Sequence, residues 1–166
     1  MDQKEFSLED LPLIGEHNFK NYLSAILAAK IEGISIETSI NSLKKFKGVK
    51  RRMDFITESS SIRIYDDFAH HPTAIKLSCD AIRKKYPSKK ILGIIELGSN
   101  TMSSGYHKEN LINSFQILDE TILLDSKKKY SYKNIFDSDI DLISYTKEII
   151  FEYDIILIMT NKDSQK

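Results

Sequence analysis

The chain has 166 residues and a mass of 19.1 kDa, room for one full domain or for one domain and part of a second. Its 24 lysine and arginine residues balance its 24 aspartate and glutamate residues, so it lacks the basic excess that marks a nucleic-acid footprint. One cysteine, Cys79, excludes an internal disulfide and a cysteine-based zinc site and suits the reducing cytoplasm; no apolar run approaches the roughly 18 residues of a membrane span, and the polar start MDQKEFSLED is no secretory leader.

Two predicted helices open the chain. Over residues 18–31, Tyr22, Ile26 and Ala29, with Leu23 and Leu27, recur at three- and four-residue spacing, and Gly33 stops the helix. The second covers 35–46: Ser35 caps it, Glu37 sits in its first turn, and Lys44, Lys45 and Lys47 crowd its end, the charge order that the helix dipole favours. Gly48 breaks it, and the character of the sequence changes there. Residues 53–58 and 61–66 read as two short strands that turn at Ser59 and Ser60. Pro72 then opens a helix at its first position, where a missing N–H costs least, and the helix runs to residue 86. A strand over 90–97, a Gly- and Ser-rich loop, a helix over 108–118, a strand over 121–124, a helix over 139–151 and a strand over 154–159 follow. This alternation predicts an α/β fold with a mostly parallel sheet and helices on both faces. The runs ILGII (91–95) and IILIM (155–159) are nearly all apolar, as strands covered on both faces should be. A boundary near Gly48 separates residues 1–47, which have no sheet of their own, from 48–166.

Ligands of an open α/β sheet bind beyond the carboxyl ends of its strands. Three segments are predicted there: YDDFAHHP (65–72), ELGSNTM (96–102) and TNK (160–162). The first is the most loaded. Asp66, Asp67, His70 and His71 fall within six residues and run into a helix N-terminus, which attracts phosphate. A carboxylate there can accept from ribose hydroxyls, and an imidazole can donate to a phosphate oxygen; the same residues also serve as ordinary helix caps. The adjacent His70 and His71 point in different directions and lack the i+4 partner of a helical zinc motif. Asn18 and Asn21, just after His17, share one helix face, with capping and solvation as the plainer reading. Lys50, Arg51 and Arg52 can meet phosphates or form a solvated run. Cys79 reads as a small buried side chain, and His107 as the start of the helix after it.

Four segments, GEHNFKNYLSAILAA (15–29), GVKRRMD (48–54), YDDFAHHPTAI (65–75) and SNTMSSGYHK (99–108), stand in that order. Together they resemble the Mur ligase family over nearly the whole chain. The last segment points to the branch of the family that works in cell-wall recycling. The resemblance implies three domains: a UDP-sugar domain, a central ATPase domain and a Rossmann-like C-terminal domain. Residues 1–47 correspond to the last two helices of the central domain. Residues 48–166 correspond to most of the C-terminal domain and are expected to stop short of its last helix.

The resemblance also implies the chemistry. ATP converts the carboxylate of UDP-N-acetylmuramate to an acyl phosphate, which the amino group of the peptide L-alanyl-γ-D-glutamyl-meso-diaminopimelate attacks. ATP and Mg2+ are the implied cofactors, the metal ligands lying outside this chain; the implied partners are the two substrates and the N-terminal and central domains, with no nucleic acid and no membrane. By resemblance, His17, Asn18 and Asn21 lie near the adenine, Arg52 near the phosphates or ribose, Asp67 on the ribose and His70 beside the phosphates. Arg52, Asp67 and His70 are the implied catalytic groups, and Ser99, Asn100 and Thr101 meet the incoming peptide. Three departures stand out. No GxxxxGK[ST] phosphate loop is present, so this chain alone is not expected to hydrolyse ATP. Leu97-Gly98 stands where recycling members read Pro-Arg, which removes a guanidinium that could pair with a peptide carboxylate. The residues after Met159-Thr160-Asn161 lack the family's Gly-rich turn. The alternative readings are a split or decayed ligase domain acting as a binding module, and a ligase that adds L-alanine to UDP-N-acetylmuramate.

Overall fold

A computed structural model describes residues 5–8 and 10–162. Residues 1–4 and 9 of the polar start, and the tail at 163–166 where the chain is expected to fall short of a final helix, lie outside the described residues. The chain divides into two compact units, Met1–Val49 and Lys50–Lys166. Among the described residues no helix is long and apolar enough to cross a membrane.

The first unit holds two helices, α1 (Glu16–Ile31) and α2 (Ile36–Leu43). Tyr22 and Ile26 are buried on α1, and the Tyr22 hydroxyl accepts from the Leu13 N–H at 2.6 Å. Leu23, Leu27 and Ile31 are exposed, so the apolar face is narrower than the sequence periodicity indicates. Gly33 adopts φ 83°, and the Ile34 N–H returns to the Ala29 carbonyl at 3.0 Å, a stop that needs the left-handed region glycine supplies. Ser35 caps α2 by accepting from the Thr38 N–H at 3.1 Å. The helix ends at Leu43, three residues before the predicted end. There the bonds tighten to i→i+3 spacing, Lys45 N–H to Ser42 and Phe46 N–H to Leu43.

The second unit is an α/β domain. Its elements are β1 (Asp54–Ser59), β2 (Ile62–Asp67), α3 (Pro72–Lys85), β3 (Ile91–Glu96), α4 (Asn100–Ser103), α5 (Lys108–Phe115), β4 (Glu120–Leu124), β5 (Ile135–Phe136), α6 (Asp139–Ile149), a 3-10 turn (Ile150–Glu152) and β6 (Ile155–Met159). Among the described residues these strands form one sheet in the order β1-β2-β6-β3-β4-β5. β1 is antiparallel to β2, and the other neighbours are parallel. The hairpin turns at Ser60 and Ser61, one residue later than predicted; both sit at positive φ (51° and 66°), as a two-residue turn between twisted strands demands. The Gly- and Ser-rich loop contains the short α4, started by the Ser99 cap. The two-residue edge strand β5 carries too little pattern to be read from sequence. The helix predicted over 139–151 closes as a 3-10 turn.

The register places Ile91 beside Ile155 and Leu92 beside Ile156, so alternate residues serve opposite faces. One face carries Leu92, Ile122 and Ile156, packed with Leu142 of α6. Right-handed crossovers carry α3 and α5 to the other face, because the chain advances from β2 to β5 and only then returns to insert β6. The carboxyl ends of β2, β6 and β3 thus lie side by side at the centre of one sheet edge.

Candidate functional site

The turn entering β1 is built on two strained residues. Arg51 and Met53 hold φ of 59° and 51°, conformations that cost a non-glycine residue about 1–3 kcal/mol each unless their surroundings impose them. The surroundings do. The Met53 N–H donates to Asp67 Oδ2 at 2.7 Å. Arg51 donates through Nε to Asp66 Oδ2 at 3.2 Å and through Nη2 to the Thr160 carbonyl at 2.6 Å. The Arg51 guanidinium also lies 5.2 Å from the Phe68 ring centroid. Arg51 therefore ties the β1 entry to the ends of β2 and β6. Its neighbour Arg52 is exposed and, among the described residues, has no hydrogen-bond or ion-pair partner.

Asp67 is 3% exposed. Besides Met53, its carboxylate accepts from the Ala69 N–H at 2.8 Å and the Ser78 hydroxyl at 3.1 Å. Burial pushes its carboxyl above the ordinary value, opposed by these three donors and by the charge of Arg52. Three of its roughly four acceptor positions are filled from its own chain, so Asp67 sets the loop between β2 and α3.

That loop orients His70. Its Nδ1 lies 2.8 Å from the Phe68 carbonyl, an acceptor only, so Nδ1 carries the proton and Nε2 is the atom left to a ligand. The His70 carbonyl accepts from the Ser99 hydroxyl at 3.4 Å, joining the two loaded strand ends. His71 caps α3, accepting from the Thr73 N–H at 3.4 Å, and its ring meets that of His107 edge-on at 4.4 Å. Burial and the neighbouring His71 hold the His107 imidazole below its ordinary value.

At the end of β3, Ser99 caps α4 by accepting from the Met102 N–H at 3.3 Å, while Asn100 and Thr101 stand exposed. Glu96 is held by the Thr160 hydroxyl and by an ion pair with Lys162. A Cβ at Gly98 would lie 2.8 Å from Asn161 Oδ1 and 3.4 Å from the Glu96 carboxylate, so a larger residue there requires Asn161 to shift. In the first unit, Asn18 is 6% exposed and donates to the Ile14 carbonyl at 2.7 Å. Its Oδ1 faces the exposed Asn21 at 3.4 Å, and His17 is half-buried in the same turn.

The structure thus gathers Asp67, His70 and Ser99, with Arg52 beside Asp67. His17, Asn18 and Asn21 form a separate turn of the other unit. Sequence reasoning named Arg51 only as part of a basic run and missed its inward bonds; it also missed the link from Glu96 to Thr160 and Lys162, both 64 or more positions away from Glu96, for which their common place at strand ends is the signal. Among the described residues no three His, Cys, Asp or Glu side chains converge as a metal site. A cavity of about 870 Å³ lies on the α6 face; Ile94, Leu142 and Ile158 line it together with Glu96, Lys147 and Lys162.

Comparison with known proteins identifies the family. The family model described as "Mur ligase, glutamate ligase domain" matches residues 51–159. The UDP-N-acetylmuramate–L-alanyl-γ-D-glutamyl-meso-2,6-diaminoheptandioate ligase of Haemophilus influenzae is 38% identical over 117 residues, 70% of this chain and 26% of that protein. The UDP-N-acetylmuramate–L-alanine ligase of Clostridium kluyveri is 33% identical, over 94% of this chain and 38% of that protein. The chain therefore spans between a quarter and two fifths of these relatives. The crystal structure of a murein peptide ligase from Psychrobacter arcticus superposes with a TM-score of 0.65 at 33% identity, covering 91% of this chain and 35% of that one. With a family model matched across all six strands of the sheet, the chain belongs to the Mur ligase family, through the glutamate ligase domain.

Proposed function

We propose that this chain forms the C-terminal, nucleotide- and acceptor-handling part of an ATP-dependent amide ligase. That ligase joins L-alanyl-γ-D-glutamyl-meso-diaminopimelate to UDP-N-acetylmuramate. The γ-phosphoryl group of ATP passes to the muramyl carboxylate, giving an acyl phosphate and ADP. The peptide amine attacks the acyl carbon, phosphate leaves, and the amine proton is lost.

Such chemistry depends on positioning and charge neutralisation, which this chain's residues supply. Arg52, an exposed cation with no hydrogen-bond or ion-pair partner among the described residues, meets a phosphate. His70 presents Nε2 beside it, with Nδ1 fixed by the Phe68 carbonyl. Asp67 acts chiefly by holding the loop; its one remaining acceptor position is all it can offer a ribose hydroxyl. Asn18 orients Asn21, the adenine contact, with His17 in the same turn. Ser99, Asn100 and Thr101 meet the acceptor. Residues 1–47 are the end of the ATPase domain in this reading, and the Mg2+ ligands and phosphate loop belong to the rest of the enzyme. Closure of this domain excludes water from the acyl phosphate. The observation that carries the reading is the Ser99–His70 bond, which joins the nucleotide-side loop to the acceptor-side loop.

A chimera tests it. The chain replaces the matching part of the Psychrobacter murein peptide ligase, and phosphate release is followed with each acceptor. Release with the tripeptide supports the reading. A second reading, ligation of L-alanine, is favoured by the Clostridium relative's 94% coverage; release with alanine alone selects it. Release with neither, in a folded chimera, overturns both.

A further inference from the structure

The segment between β4 and β5, a lysine-rich loop without an assigned role, is built as firmly as the site loops. Asp125 is 1% exposed and accepts from the N–H groups of Lys127 (3.2 Å), Lys129 (2.5 Å) and Tyr130 (2.8 Å). Lys128 takes φ 53° and pairs with Asp137. This turn sets the loop against the segment that follows β3. Lys127 Nζ donates to the Ser103 hydroxyl at 3.1 Å. A Cβ at Gly105 would lie 3.4 Å from Lys129 Cβ and 3.1 Å from Lys108 Cε. Among the described residues, the charged and titratable groups placed against residues 99–107 include Lys108, Lys127, Lys129, the His71 ring and Tyr130, which bonds the His107 backbone. Asp125 is already committed to three backbone donors. Among the described residues, none of the three lysines has a carboxylate partner.

We propose that Lys127 and Lys129 are specificity-determining cations that recognise the carboxylates of the acceptor, an anionic γ-glutamyl peptide. The inference rests on the reading that residues 99–101 face the acceptor. Lys127 uses one of its three donors on Ser103 and keeps the others for a ligand. Together the two lysines provide positive charge beyond the end of β4, against the segment that follows β3.

The full chain is titrated with L-alanyl-γ-D-glutamyl-meso-diaminopimelate and, in parallel, with the same peptide amidated at its carboxylates, by amide NMR. The expected result is that the free acid shifts residues 99–107 and 125–130 together. The K127Q/K129Q variant should weaken it about tenfold, K127R/K129R should restore it to within about threefold, and the amidated peptide should bind all variants alike. Unchanged spectra elsewhere establish that the variants fold. Shifts at 99–107 with an affinity indifferent to K127Q/K129Q overturn the inference and leave the functional reading standing. No shift at 99–107 with millimolar peptide overturns the reading itself, and the inference with it.

Discussion

Arg51 and Arg52 are adjacent and have opposite fates. Arg51 bonds Asp66 and the Thr160 carbonyl and stacks on Phe68; Arg52 is exposed and bonded to nothing among the described residues. Arg51→Ala should lower stability by about 1–2 kcal/mol, since it strips charge-assisted bonds from a strained turn. Arg52→Ala should stay within about 0.5 kcal/mol of the parent yet weaken nucleotide binding in the assembled ligase. Urea midpoints beside a nucleotide titration check both, and equal stability losses would contradict the division. Sequence shows that a basic run precedes the hairpin but not which arginine turns inward, because the left-handed turn at 51 and 53 decides that. His107 gives a pH test. Its imidazole is held below the ordinary 6.5, so the unfolded chain takes up the proton first. The stability it provides is complete above pH 6.5 and is lost as pH falls toward the lowered value. His107→Gln should flatten that part of the pH–stability curve, and an unchanged slope would remove His107 as its source.

Among the elements, β3 and β6 were legible because two-sided burial leaves unbroken apolar runs. The hairpin was legible in kind but displaced by one residue, since neighbouring serines give no signal as to which pair turns. β5 was not legible: its two residues owe their strand geometry to the edge of β4. The loop after β2 was singled out by its residue types, whereas the lysine-rich turn was passed over because its anchor, Asp125, looks like any loop aspartate until it is seen to be buried. Gly93 in β3 tests how tightly the central strands are covered. A Cβ there would lie 2.6 Å from Leu118 Cδ1, and Leu118 is itself 8% exposed. Gly93→Ala should cost about 1–3 kcal/mol, read from the thermal midpoint, because the leucine has little room to yield. A neutral substitution would mean that the helix end moves freely.

For the molecule as a whole, the boundary expected near Gly48 and the division after Val49 come from one cause: α1 and α2 have no strand to pack on, and the sheet begins only after them. Leu23, Leu27 and Ile31 stand exposed on α1, Ile31 at 84%. Leu23→Glu with Leu27→Glu should reduce concentration-dependent association in sedimentation, as removal of an apolar patch does; a chain equally monomeric in both forms would refute this. The strand order has a consequence for synthesis on the ribosome. β6 is the last made of the six described strands, yet it lies between β2 and β3, so no earlier length of chain closes the middle of this sheet. The Arg51–Thr160 bond, across 109 positions, waits on the same event. A nascent chain halted before residue 155 therefore holds two unzipped half-sheets with open inner edges. Those edges are competent to pair with another copy, so the strand that completes the sheet is also the one that closes it against misassembly.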